Sequence, residues 1–160
     1  MFLTPNDFTI HNRELIKLND QGYSFVFFFT NDCAFCIDVK PAFERLSKLI
    51  RGVNFSYMDV SQNDWQLRNM ALRSNSPITY VPLLLLFVNG RVLNQFFQDE
   101  ENPRNNLEKM KQFISINTSR PESTIVPQKI STNIPEYSLG IPGNMGERRV
   151  CKLYEEAYGQ

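Results

Sequence analysis

Cys33 and Cys36, with two residues between them, are the side chains of this 160-residue chain best suited to covalent chemistry. A thiolate attacks a disulfide sulfur to form a mixed disulfide, and a second thiol nearby resolves it. At a helix amino terminus, unpaired backbone N–H groups and the positive end of the helix dipole stabilise the first thiolate. In this reading Cys33 attacks and Cys36, one turn on, resolves. The same residues allow two other uses. Cys151 and the single histidine, His11, would complete a four-ligand zinc set, although structural zinc usually gathers two close cysteine pairs. Alternatively, both cysteines are inert core residues. Cys151 is either an exposed third thiol able to pair between molecules or a residue packed against a partner, and packing is the expectation.

The redox use needs a strand ending just before Cys33 and a helix starting there. Residues 23–29 (YSFVFFF) are nearly all aromatic or β-branched, which reads as a central strand buried on both faces. Thr30-Asn31-Asp32 breaks the run, and any of the three could cap a helix. Cys36, Val39, Phe43, Leu46 and Ile50 then recur at spacings of three and four, one face of an amphipathic helix. Pro41 is expected to kink that helix, and Arg51-Gly52 to close it. Residues 5–10 read as a short strand or lead-in, and 13–18 as a brief helix. Residues 53–60 form a second strand and 64–73 a further helix. A strongly apolar strand spans 79–88, broken near its start by Pro82. Asn89-Gly90 is a hairpin signal that returns the chain as a strand over 91–97, and a helix follows over 105–116. This order predicts an α/β protein with a central mixed sheet flanked by helices.

From residue 117 the composition shifts to Thr, Ser and Pro without a sustained period. The expected organisation is a domain over 1–116 and an extended tail over 117–160. Ile125, Ile130, Ile134, Tyr137 and Ile141, spaced along the tail, suggest wrapping over the domain or over another protein. Residues 148–158 could make one short amphipathic element.

Pro82 bears on the site. A proline early in a buried strand does not serve as an ordinary ladder residue. A cis Val81–Pro82 bond would present the Val81 backbone toward the cysteines, where it could pair with an extended substrate peptide; the other possibility is a trans proline opening the strand. The dithiol, Pro41, Pro82 and the Val88-Asn89-Gly90 hairpin together resemble the thioredoxin superfamily from about Phe25 to Phe113. The segments FLTPNDFTI, TYVPLLLLFVNG and VCKLYEEAYG are also similar to thioredoxin-like proteins of nucleocytoplasmic large DNA viruses. The resemblance implies a thioredoxin fold, catalytic Cys33 and Cys36, substrate contacts at Val81 and Pro82, and protein thiols or disulfides as substrates. It implies neither metal nor organic cofactor. Work in the host cytoplasm or packaging in the virion would follow.

Several residues depart from that pattern. Asp32 stands where thioredoxins carry tryptophan, and Ala34-Phe35 where they carry Gly-Pro. A negative charge beside Cys33 should raise its thiol pKa. Phe27 takes the place of the buried strand aspartate that helps move the resolving cysteine's proton, and Phe55 that of its lysine partner. Asp38 or a water could substitute. The 17 basic and 17 acidic residues cancel without a dense basic cluster, which argues against nucleic-acid binding. The amino terminus lacks the charged and apolar regions of a secretory signal, and the apolar runs are too short to span a bilayer. A cytoplasmic protein with no membrane insertion is therefore expected. The leading function is a thiol–disulfide oxidoreductase acting on protein disulfides. The alternative is a virion structural protein, a minor capsid or assembly component, that uses the fold as a scaffold and the tail to bind capsid or other virion proteins.

Overall fold

The computed structural model describes residues 1–119 and 149–153. Tyr23–Phe29 forms the strand β4 in the interior of a seven-stranded sheet, and five of its seven residues are buried. Its partners are β5 (Val53–Asp59), parallel, and β7 (Leu83–Val88), antiparallel. Beyond β5 lies β1 (Phe2–Leu3), also parallel. Beyond β7 lie β8 (Arg91–Phe96) and the hairpin of β2 (Phe8–His11) and β3 (Glu14–Lys17), all antiparallel. The order is β1-β5-β4-β7-β8-β3-β2, the mixed α/β sheet expected.

A strand buried on both faces needs apolar side chains in both directions. Phe25 and Phe27 point to one face, where their rings lie 5.5 Å from that of Phe43 in helix α1 (Ala34–Leu49). Phe55, Tyr57, Phe96 and Phe113 complete that aromatic cluster. Helix α3 (Asn106–Thr118) packs beside α1. Phe28 turns the other way, 5.8 Å from Phe8, on the side where α2 (Gln62–Ala71) lies against β2. Helix α1 continues through Pro41, which sits on its exposed side.

Three expectations change. Residues 13–18 are not a helix: Asn12 and Arg13, at φ 51° and 66°, make a tight turn, and 14–17 return as β3. The segment is too short for periodicity to separate helix from strand, and cross-strand pairing decides it. The strand over 79–88 is two strands, β6 (Tyr80–Val81) in a separate small sheet and β7 after Pro82. The opening of α2 is left-handed at Asn63, Asp64 and Trp65, so its regular part begins later than the sequence suggests. Of the tail, α3 reaches Thr118, and residues 149–153 return to the domain with Cys151–Lys152 as β9. The spaced isoleucines and Tyr137 lie outside the described residues, as does the rest of the 148–158 element.

The Asn89-Gly90 hairpin carries one strict requirement. Gly90 has φ +85°, and a Cβ there would lie 2.6 Å from the Lys17 carbonyl oxygen. Its own carbonyl accepts from the Lys17 N–H at 2.8 Å. Gly90→Ala should therefore cost about 2–3 kcal/mol from left-handed strain plus the backbone clash. That corresponds to a fall in Tm of about 5–10 °C, to be read by calorimetry. An unchanged Tm would mean that β3 does not hold this register.

Candidate active site

Cys33 is the N-cap of α1, at φ −98° and ψ 113°, with no side-chain cap of its own. Its N–H donates to the Thr30 carbonyl at 3.4 Å, and its carbonyl accepts from the Cys36 N–H at 3.1 Å. The first sulfur thus stands at the positive end of a sixteen-residue helix, a setting that stabilises a thiolate once it is reduced. Cys36 points inward and is 4% exposed. Burial pushes its thiol up to about 12, outweighing the lowering by a backbone hydrogen bond at Thr30, and the charge of Asp32 adds a lesser rise.

A cleft of about 90 Å³ lies beside Cys36, walled by Phe27, Phe29, Ile37 and Tyr57 among others. Phe27 therefore occupies the neighbourhood where a proton acceptor for Cys36 would be useful, and it offers none. Asp38, the substitute raised from sequence, is engaged elsewhere: its carboxylate lies 3.5 Å from Arg149.

The Val81–Pro82 peptide is cis. The Val81 carbonyl oxygen lies 3.7 Å from Cys33 Sγ. β6 pairs antiparallel with β9, Tyr80 opposite Lys152 and Val81 opposite Cys151. The Leu153 N–H donates to the Thr79 carbonyl at 2.9 Å, and the Leu153 side chain is buried. Cys151 is disulfide-bonded to Cys33, with their Cα atoms 6.0 Å apart across a sequence separation of 118. In this state Cys33 Sγ has no proton to give Val81, so that approach is a contact; a reduced Cys33 thiol could donate there.

Arg149 fastens the start of this strand. Its guanidinium donates to the Glu100 carbonyl at 2.9 Å and the Glu101 carbonyl at 3.4 Å, and Gln98 Nε2 donates to the Arg149 carbonyl. Asp99 shapes the receiving loop. It accepts from the N–H groups of Glu101 and Asn102 at 2.9 and 2.7 Å and pairs with Lys109 at 2.8 Å. The Lys109 ammonium, then these N–H groups and Asn105, hold its carboxyl well below the usual carboxylate range. From sequence alone, the acidic run Asp99-Glu100-Glu101 reads as a solvated turn. Only the paired Asn102 and Asn105, typical of turns and caps, hinted that the run had internal structure.

The structure thus brings Cys33, Cys36, Val81 and Cys151 together. It does not bring in His11, which is exposed on β2 at the far edge of the sheet. With two of the sulfurs joined to each other, the proposed zinc set is not assembled. Among the described residues, no group of three or more His, Cys, Asp or Glu is placed to hold a metal, and no helix is long and apolar enough to cross a membrane.

No family model matches the chain. It is 33% identical over 169 residues to "Uncharacterized protein 020R" of Invertebrate iridescent virus 3, covering 99% of this chain and 95% of that protein. It is 28% identical over 142 residues to "Uncharacterized protein 196R" of Invertebrate iridescent virus 6, covering 86% and 75%. Among solved structures it is similar to Fasciola hepatica thioredoxin, at 24% identity and TM-score 0.47, over 62% of this chain and 85% of that one. Human ERp44 is similar at 24% identity and TM-score 0.45, over 59% of this chain and 28% of that one.

Proposed function

The chain belongs to the family of the iridescent-virus protein 020R and has a thioredoxin-like α/β fold; from that premise we propose that it is a thiol–disulfide oxidoreductase acting on protein disulfides through Cys33 and Cys36. The observation that carries the reading is the position of Cys33. It caps the amino end of α1, faces the Val81 carbonyl, and is joined by a disulfide to an extended segment paired with β6. That is the covalent arrangement a mixed disulfide with a substrate requires. Cys33 attacks a substrate disulfide, its thiolate favoured by the helix end. The substrate strand hydrogen-bonds along Tyr80 and Val81, with Pro82 beneath it. Cys36 then attacks Cys33 Sγ and releases the reduced substrate thiol.

Insulin reduction with dithiothreitol as electron source tests this. Wild type should accelerate precipitation of the insulin chains, and Cys33→Ser should lose that acceleration by about 10³-fold or more, since a serine hydroxyl is not a thiolate. Cys36→Ser combined with Cys151→Ser, which leaves no internal thiol to displace the substrate, should stall as the mixed disulfide until dithiothreitol releases it. Equal rates for wild type and both variants would sink the proposal.

A further inference from the structure

We propose that Cys151 is a third redox residue of this site, carried on an internal substrate strand, and that Cys33 exchanges its disulfide between Cys151 and Cys36. The inference rests on the oxidoreductase reading but concerns a residue that reading does not need. Its ground is the way the segment is held. A cysteine that met Cys33 by chance would bring a disulfide and little else. Residues 149–153 instead bring a strand pairing to β6, a backbone bond from Leu153 to Thr79, a buried Leu153 side chain, and a guanidinium placed on the Glu100 and Glu101 carbonyls. Arg149 also reaches Asp38 on α1, the helix that carries both site cysteines. Side chains alternate along an extended strand. Cys151 and Leu153 thus face the domain on either side of the exposed Lys152, and Arg149 just before the strand makes the contacts named.

The exchange is electron-neutral. Cys36 gives up its thiol proton to solvent and its thiolate attacks Cys33 Sγ. The Cys33–Cys36 bond forms as the Cys33–Cys151 bond breaks. The electron pair leaves on Cys151 Sγ, which takes up a proton. One disulfide exists before and one after, so no external oxidant or reductant is consumed. The reverse step returns the strand to its seat. A segment on the same chain acts at an effective concentration in the millimolar range. An external protein at about 0.1 mM should therefore be outcompeted about tenfold, and an oxidised chain rests with its attacking cysteine covered by its own strand.

The full-length oxidised protein, equilibrated in glutathione buffers of different ratio, acid-quenched, alkylated and peptide-mapped, reports the pairings directly. Wild type should show Cys33–Cys151 and Cys33–Cys36 in a proportion that stays constant as the buffer ratio changes, because their interconversion moves no electrons. Cys36→Ser should retain Cys33–Cys151 alone. Arg149→Ala should shift the proportion toward Cys33–Cys36 by about fivefold, as expected for losing a hydrogen-bonded anchor. Absence of Cys33–Cys151 from wild type, or a proportion that follows the buffer ratio, overturns the inference. Insulin reduction by the same unalkylated protein, with dithiothreitol as electron source, separates the two readings: an active dithiol without Cys33–Cys151 overturns only the role of Cys151. Isomer exchange without insulin reduction supports that role and overturns the oxidoreductase.

Discussion

In the oxidised chain, Cys36 should react with iodoacetamide at pH 8 about 50-fold more slowly than an ordinary cysteine. Its pKa of about 12, against an ordinary value of 9.0, lowers the thiolate fraction at that pH by about 10³. A more basic thiolate is intrinsically more nucleophilic, which returns about 15- to 30-fold. The loss of thiolate wins, and burial of the sulfur slows the reaction further. The rate should climb about tenfold per pH unit to beyond pH 11, and urea should restore ordinary reactivity. A profile that levels off near pH 9 would show that the thiol is not desolvated as described. Stability follows the same linkage. The folded-state pKa lies above the unfolded one, so its contribution is intact below pH 9. Between pH 9 and 12 it declines as pH rises, because the unfolded chain ionises and the folded one does not. For catalysis, the consequence is slow resolution at neutral pH. In the proposed reaction, release of substrate from Cys33 by Cys36 should therefore be slow, because Phe27 leaves Cys36 without a carboxylate to take its proton.

Phe43→Ala should destabilise the protein by about 4 kcal/mol. Phe43 is fully buried, and its ring centroid lies within 5.2–5.6 Å of those of Phe25, Phe27, Phe55 and Tyr57. Removing it opens a cavity between α1 and the sheet that surrounding rings cannot close without leaving their rotamers. Against a typical total of about 5–15 kcal/mol, that is a large fraction, and Tm should fall by about 10 °C. Phe2 provides the control: it stacks on Tyr57 at 5.0 Å but is 68% exposed. Phe2→Ala should cost less than about 1 kcal/mol. Equal urea midpoints for the two variants would mean that α1 is not anchored through Phe43. Because α1 carries Cys33 and Cys36 at its start, loosening it should also blunt the reactivity of the dithiol.

Much of this was legible before any coordinates. Residues 23–29 are a continuous apolar run with few alternatives to a buried strand. The stripe from Cys36 to Leu46 is long enough for helical periodicity to be decisive. Asn89-Gly90 specifies its hairpin locally, and Pro82 is out of place in any ordinary strand. What remained hidden depends on distant parts of the chain. β1 is two residues long and exists because β5 offers an edge. The β2–β3 hairpin turns on Asn12 and Arg13, and arginine is an unusual residue at positive φ. The partner of Cys33 could not be read from spacing, since three cysteines do not reveal their own connectivity. Cys151 was expected to pack, and it instead forms the covalent bond at the centre of the site.

The strand pairing of β9 has a colloidal consequence as well as a chemical one. β6 is a two-residue strand paired with β9, next to the seat filled by Leu153. An uncovered edge beside apolar surface is where another chain adds most readily. While Cys151 holds its place, that edge is closed to neighbours. In a reducing solution the strand can leave, and self-association at high concentration should begin there. Solubility of this protein would then depend on its oxidation state.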